Sequence, residues 1–129
     1  MQCVYPSIFK WDDKEKVYLV NFPDIEGCLT FGYTKSDAYN YATDALNLML
    51  SNAEKYGEPI PKASKLEDIK LDDKNSFAQY IYADTELYKE LLQLRKILDM
   101  KKRNKAKKFS RTTQKRRSNK IGNPDTGSR

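Results

Sequence analysis

Histidine is absent from the 129 residues of this chain, and cysteine occurs only at Cys3 and Cys28. The first absence removes the most common metal ligand and acid–base group, and leaves any cysteine nucleophile without an imidazole to activate it. Two thiols can form one bridge at most. The start, Met1-Gln2-Cys3-Val4-Tyr5-Pro6, shows no basic segment followed by an apolar one. Both cysteines therefore read as reduced, partly buried residues, and the cytoplasm is the expected compartment. No run approaches the roughly 18 apolar residues of a membrane span. Together these absences point to a binding protein with no cofactor and no metal rather than an enzyme.

What is present is enough for one modest core. Nine Tyr and five Phe bury large areas, and the length fits a single domain. The net charge of +6 is unevenly spread. Residues 101–129 hold 12 Lys/Arg against one acid, Asp125, whereas the first 100 residues hold 12 against 17 acids. The chain is an acidic body with a basic tail, and the two parts require separate readings.

Along the body, Cys3 to Trp11 is rich in aromatic and β-branched residues and predicts a strand. Asp12 to Glu15 is turn-like, and Lys16 to Phe22 predicts a second strand that pairs with the first. Pro23-Asp24-Ile25-Glu26-Gly27 breaks the ladder; Asp24 is expected to brace this turn and Gly27 to supply its backbone freedom. Cys28 to Tyr33 is a third strand, giving a meander. Thr34 is a good N-cap for a helix whose Ala38, Tyr41, Ala42, Ala45, Met49, Ala53 and Tyr56 recur at steps of three and four. Gly57 suits its C-cap, and Pro59 and Pro61 prevent continuation. Leu46, Leu48 and Leu50 widen the apolar surface beyond one stripe.

Lys62 to Asn75 reads as a surface loop and Ser76 to Ala83 as a fourth strand. Asp84-Thr85 can cap a second helix from Glu86 to about Lys102, on which Leu87, Leu91, Leu94 and Leu98 repeat at 4-3-4. That stripe is either packed on the body or an oligomer contact. From Lys105 onward Phe109 and Ile121 are the only strongly apolar residues, too few to offset backbone ordering, so disorder is expected. The expected fold is α+β: a three-stranded antiparallel meander plus a fourth strand, one helix packed on the sheet, then a second helix and a disordered basic tail. The expected boundaries are 1–84, 85–102 and 103–129.

Three features then join up: Tyr5-Pro6-Ser7-Ile8-Phe9, the run from Val17 through Phe22-Pro23-Asp24-Ile25-Glu26-Gly27-Cys28 to Gly32-Tyr33-Thr34, and an alanine-rich helix ending in Gly57-Glu58-Pro59-Ile60-Pro61-Lys62-Ala63-Ser64. Over Tyr5 to Ser64 the chain resembles the HicB family of antitoxins. The resemblance implies a partial RNase H-like fold, β-β-β-α-β-α, used for binding. It also implies a partner, a HicA-like toxin: a small mRNA-cleaving protein with a catalytic histidine. Many members of that family continue into a ribbon-helix-helix or helix-turn-helix that binds operator DNA. Residues 101–129 lack the apolar residues a ribbon-helix-helix needs for its shared dimer core.

The resemblance also raises the possibility of a nuclease, which the residues oppose. An active RNase H-like site needs carboxylates converging on two metal ions, one of them from the middle of the first strand, and Cys3 to Trp11 contains no Asp or Glu. Asp12, Asp13, Glu15, Asp24 and Glu26 all fall in loops at strand ends. Each alone reads as solvated charge; as a set they are the candidate toxin-facing patch, since an acidic surface attracts a basic RNA-binding toxin. In the tail, Lys101, Lys102, Arg103, Lys105, Lys107, Lys108, Arg111, Lys115, Arg116 and Arg117 are the candidate contacts to DNA or RNA phosphates, against a merely solvated terminus. Leu87, Leu91, Leu94 and Leu98 are the candidate homodimer contact. The leading reading is an antitoxin that covers its toxin. The alternatives are a nucleic-acid-binding protein acting through its tail, or an orphan module of the same fold with no toxin.

Overall fold

The computed structural model of the chain describes residues 1–121. The elements are β1 (Gln2–Asp12), β2 (Val17–Asn21), β3 (Leu29–Gly32), α1 (Lys35–Tyr56), a single 3-10 turn at Leu66–Asp68, β4 (Ser76–Asp84) and α2 (Thr85–Ile121). The strands form one antiparallel sheet in the order β3-β2-β1-β4, the α+β arrangement expected of the sequence. The chain divides into two units, Met1–Lys89 and Glu90–Arg129.

β1 is the spine of the first unit. It pairs with β4 from Gln2↔Asp84 to Lys10↔Ser76 and with β2 from Ile8↔Asn21 to Asp12↔Val17. Pro6 lies beyond the last β1–β2 pair, so a residue without an N–H is tolerated there. At the β1–β2 hairpin the Asp12 carboxylate accepts from the Lys14 and Glu15 amides at 3.0 and 3.1 Å. Lys16 then takes the left-handed conformation, with φ 57°, and returns its amide to the Asp12 carbonyl.

α1 lies on one face of the sheet, and small residues bring it close. Ala38 and Ala42 are fully buried, with Leu46, Leu50 and Ala53 following on the same stripe. They pack against Tyr5, Phe9, Val20, Phe22, Ile25, Cys28 and Ile81. Tyr41 and Tyr56, expected on that stripe, are exposed; the buried line runs through positions 38, 42, 46 and 50, and these tyrosines flank it. Thr34 caps the helix, its Oγ accepting from the Asp37 amide at 3.0 Å. Gly57 closes it with φ 65°, while the Glu58 amide reaches back to the Ala53 carbonyl at 2.8 Å.

Buried polar groups tie α1 and the chain start to the junction of β4 and α2. Asn47 donates to the Thr43 carbonyl at 2.9 Å and accepts from the Asp84 amide at 3.0 Å. Thr85 is fully buried; its amide donates to the Met1 carbonyl, and its hydroxyl accepts from the Met1 ammonium at 2.7 Å. Asp84 accepts from the Leu87 amide at 3.0 Å in the manner of an N-cap. α2 continues to Ile121, well past the expected end near Lys102. The helical backbone thus runs past the expected boundary at Lys102 into the segment expected to be disordered when alone. The run Thr85–Ile121 contains no Gly or Pro and is dominated by Lys, Arg, Leu and other good helix formers, so propensity carries the helix where no core does. Residues 122–129 of the expected tail lie outside the described residues.

Gly32 marks the tightest contact between the layers. A β-carbon there would stand 2.3 Å from the Ala38 nitrogen and 2.6 Å from its α-carbon, both backbone atoms. Gly27, by contrast, has φ 78° and open space around it. Gly32→Ala is therefore expected to cost about 3 kcal/mol by overpacking, and Gly27→Ala about 1 kcal/mol from its left-handed backbone alone. Urea unfolding checks both: the midpoint for Gly32→Ala falls well below that for Gly27→Ala, with unchanged slope.

Candidate functional site

The five acids expected to form one patch are not brought together. β2 separates the hairpin carrying Asp12, Asp13 and Glu15 from the turn carrying Asp24 and Glu26, so the two groups lie at opposite ends of the sheet. Most also have local work. Asp12 braces its hairpin, and Asp13 pairs with Lys16 at 2.7 Å. Asp24 does not brace its own turn, as the sequence suggested. That turn is held by backbone bonds among Phe22, Ile25 and Cys28. The Asp24 carboxylate instead accepts from the Ser64 amide and hydroxyl at 2.8 and 2.6 Å. Together with the Tyr5 hydroxyl, which donates to the Pro61 carbonyl, it fastens the segment after α1 to the body. Glu15 and Glu26 are the two acids of the set left exposed without such a role.

A different feature dominates the surface. The register places Val4, Leu19, Leu29, Phe31, Tyr80 and Tyr82 together on the sheet face opposite α1. All six are exposed, Leu29 by 67% and Phe31 by 50%. β3 is also an edge strand, so apolar side chains adjoin free backbone donors and acceptors. Exposed Lys10 and Asn21 lie on the same face, and its apolar side chains make it a candidate contact surface. The signal was present in the sequence: KVYLVNF and its neighbours are apolar at both odd and even positions, the pattern of strands covered on two faces. α1 covers only one.

The α1 face opens at the hairpin end into a shallow cleft of about 420 Å³ lined by Trp11, Tyr18, Lys35, Lys74, Asn75, Ser76 and Phe77. The Lys35 ammonium sits 5.5 Å from the centre of the Phe77 ring, and Phe77 stacks on Phe9 at 4.9 Å. Cys28 is 2% exposed, and burial pushes its thiol up to about 11. It is packed beside the turn, as its place after Gly27 suggested. Among the described residues no group of three or more Cys, Asp or Glu is placed to hold a metal ion, and no helix is long and apolar enough to cross a membrane.

On α2, Lys101, Lys102, Arg103, Lys105, Lys107 and Lys108 are exposed. They are spread around the helix rather than along one side, since neighbours in sequence stand about 100° apart. Arg111, Lys115, Arg116 and Arg117 lie on the same helix, their side chains outside the described residues. Leu87, Leu91, Leu94 and Leu98 are all exposed, between 43% and 51%.

Comparison with known proteins bears on the family and the fold. The pattern of the HicB-like antitoxins of bacterial toxin-antitoxin systems matches residues 5–121. The match takes in α2 to its last residue, well beyond Ser64. The chain belongs to that family. It is 34% identical over 50 residues to the UPF0150 protein Ta0767 of Thermoplasma acidophilum, covering 39% of this chain and 72% of that protein. Its fold is similar to a chain of a toxin-antitoxin complex from Streptococcus pneumoniae, with TM-score 0.62, 24% identity and coverage of 68% of this chain and 73% of that one. It is also similar to a chain of a HicA3 and HicB3 toxin-antitoxin complex, with TM-score 0.52, 23% identity and coverage of 64% and 99%.

Asp24 is thus a brace for the loop that follows α1. Asp24→Ala should cost about 1.5–3 kcal/mol, the range for hydrogen bonds to a charged group. The Ser64 amide should lose most of its hydrogen-exchange protection. Retained protection at Ser64 would show that the loop is held by other contacts.

Proposed function

We infer that this protein is the antitoxin of a toxin-antitoxin pair and neutralises a HicA-like, mRNA-cleaving toxin by covering it. It acts as a non-catalytic binding module in the cytoplasm, where such a toxin meets its substrate. The observation that carries this reading is the family match across residues 5–121. A fold shared with chains of two toxin-antitoxin complexes, one naming HicA3 with HicB3, supports it.

The surfaces divide the work between affinity and steering. The apolar sheet face around Phe31 and Leu29 supplies the area removed from water, with the flanking edge of β3 available for backbone pairing. The first unit, residues 1–89, holds 10 Lys/Arg against 15 acids, a net −5. That charge draws in a basic partner and raises the encounter rate more than the final affinity. Within it, Asp13, Glu15 and Glu26 are the steering residues, while Asp12 and Asp24 act through the fold. Phe31→Asp should leave stability within about 0.5 kcal/mol of the parent yet weaken toxin binding roughly 30-fold or more, and fail to relieve growth arrest on co-expression. The triple reversal Asp13→Lys, Glu15→Lys, Glu26→Lys should slow association at low salt and leave the dissociation rate nearly unchanged. Full neutralisation by Phe31→Asp, measured beside calorimetry on the purified pair, would remove the sheet face from the reading.

A second activity is favoured by a separate observation. Residues 90–129 carry 14 Lys/Arg against 3 acids, a net +11, and the family match extends through this helix. Lys101, Lys102, Arg103, Lys105, Lys107, Lys108, Arg111, Lys115, Arg116 and Arg117 would contact phosphates of DNA or RNA without reading sequence. Truncation after Met100 should abolish duplex DNA binding in a mobility-shift or anisotropy titration, together with its steep salt dependence. Binding that survives truncation with the same salt slope excludes the tail.

A further inference from the structure

On the α1 face of the sheet, burial falls away toward the β1–β2 hairpin while the residues stay aromatic. Phe9 and Val20 are cross-strand partners, and each is 1% exposed. The next pair on that face, Trp11 and Tyr18, is only half-buried. Their rings stand 4.8 Å apart at 57°, so they form a corner with aromatic surface left open. Phe77 is the neighbouring wall, but its ring is already engaged, stacked on Phe9 and approached by the Lys35 ammonium. A second shallow hollow of about 330 Å³, lined by Ser36, Tyr39 and Gln79, shares Lys35 and Phe77 with the 420 Å³ cleft.

The lining differs in charge from the body around it. Residues 1–89 carry 15 acids against 10 Lys/Arg, yet no carboxylate lines either hollow. Lys35 and Lys74 supply the charge, and neither is in an ion pair among the described residues. The nearby acids are engaged elsewhere. Asp73 pairs with Lys10 at 3.4 Å, Asp13 pairs with Lys16 at 2.7 Å, and Asp12 holds two hairpin amides. The Trp11 amide donates to the Asn75 carbonyl at 3.1 Å, which fixes the far wall.

We propose that this cleft binds single-stranded nucleic acid, with one base against Trp11 and Tyr18 and the flanking phosphates on Lys35 and Lys74. The lining calls for a ligand that is anionic and has a flat apolar face, and a nucleotide unit combines the two. Base–aromatic stacking supplies the affinity and tolerates any sequence, since every base has a π-face. Lysines free of carboxylate partners keep their full attraction for phosphate. A free nucleotide calls for a pocket that buries most of its surface; both hollows are shallow and open, which suits a strand passing through. The site engages a base, whereas the basic residues of α2 offer contacts to phosphates alone. It lies on the α1 face, opposite the surface assigned to the toxin, and does not rest on that reading.

Trp11 is the only tryptophan, so its emission reports this site, while the anisotropy of an end-labelled strand reports binding anywhere on the chain. With the full-length protein, hexauridylate should quench Trp11 saturably. A hexamer of abasic sugar-phosphates should bind through the basic helix yet leave the emission unchanged. Lys35→Glu combined with Lys74→Glu should weaken the quenching roughly tenfold or more, with an unchanged unfolding midpoint because both side chains are exposed. Tyr18→Leu should weaken it about fivefold or more. Absence of quenching at saturating strand overturns the proposal, as does equal quenching by the abasic strand or quenching untouched by the lysine reversals. Uridine monophosphate that quenches at the same concentration as the hexamer overturns the assignment to a strand. A Trp11 signal that follows added toxin but no strand assigns the cleft to the toxin contact and overturns it too. The strand titrations contain no toxin, so their failure leaves the toxin-binding reading standing.

Discussion

At Gly32 the sheet and α1 meet backbone to backbone, with no room for even a methyl group between β3 and Ala38. This contact draws the start of α1 down onto the sheet, and Ala38 and Ala42 extend the close approach along the helix. Phe9, Phe22 and Val20 then fill the space beneath, while Leu46 and Leu50 complete the layer. A single helix seated this way covers one face of a four-stranded sheet; on the other, Pro6 is buried while Val4, Leu19, Leu29, Phe31 and Tyr82 remain exposed. The proposed contact surface follows from that asymmetry, because the strands are apolar on both sides.

The fold also sets where charge can act. Several carboxylates that look available in the sequence are taken up locally: Asp12 by its hairpin, Asp13 by Lys16, Asp24 by Ser64. A carboxylate braced by two donors keeps its charge but loses the freedom to reorganise around a partner. In the proposed reading, the body offers a basic toxin a diffuse negative field from all its acids, which would act on encounter, and a separate apolar area, which would act on residence.

The junction at Thr85 joins two physically different parts of the chain. On one side lies a core held by burial and by buried hydrogen bonds; on the other, a helix sustained by propensity and carrying a net +11. Reading the tail as disordered followed from counting apolar residues, a test of whether a segment can pack. It does not test whether a segment lacking Gly and Pro will continue a helix already nucleated for it. The leucines from Leu87 to Leu98 sit where these regimes meet, at the last point where apolar contact can organise the helix.

The sequence by itself determined the order and kind of the elements, the capping of α1 by Thr34 and Gly57, the turn at Gly27 and the separation of an acidic body from a basic extension. Each of these depends on local chemistry: periodicity, a donor or acceptor one turn away, a backbone angle, a count of charges. The family resemblance was legible for the same reason, since its motifs are short runs that shape adjacent turns. Only the tertiary structure decided that Asp12 and Asp24 lie at opposite ends of the sheet, that Asp24 serves Ser64 forty residues away, and that Val4, Leu19, Phe31 and Tyr82 share one open face. Those facts depend on strand register and on which face α1 occupies, and both are fixed by contacts between residues far apart in the chain.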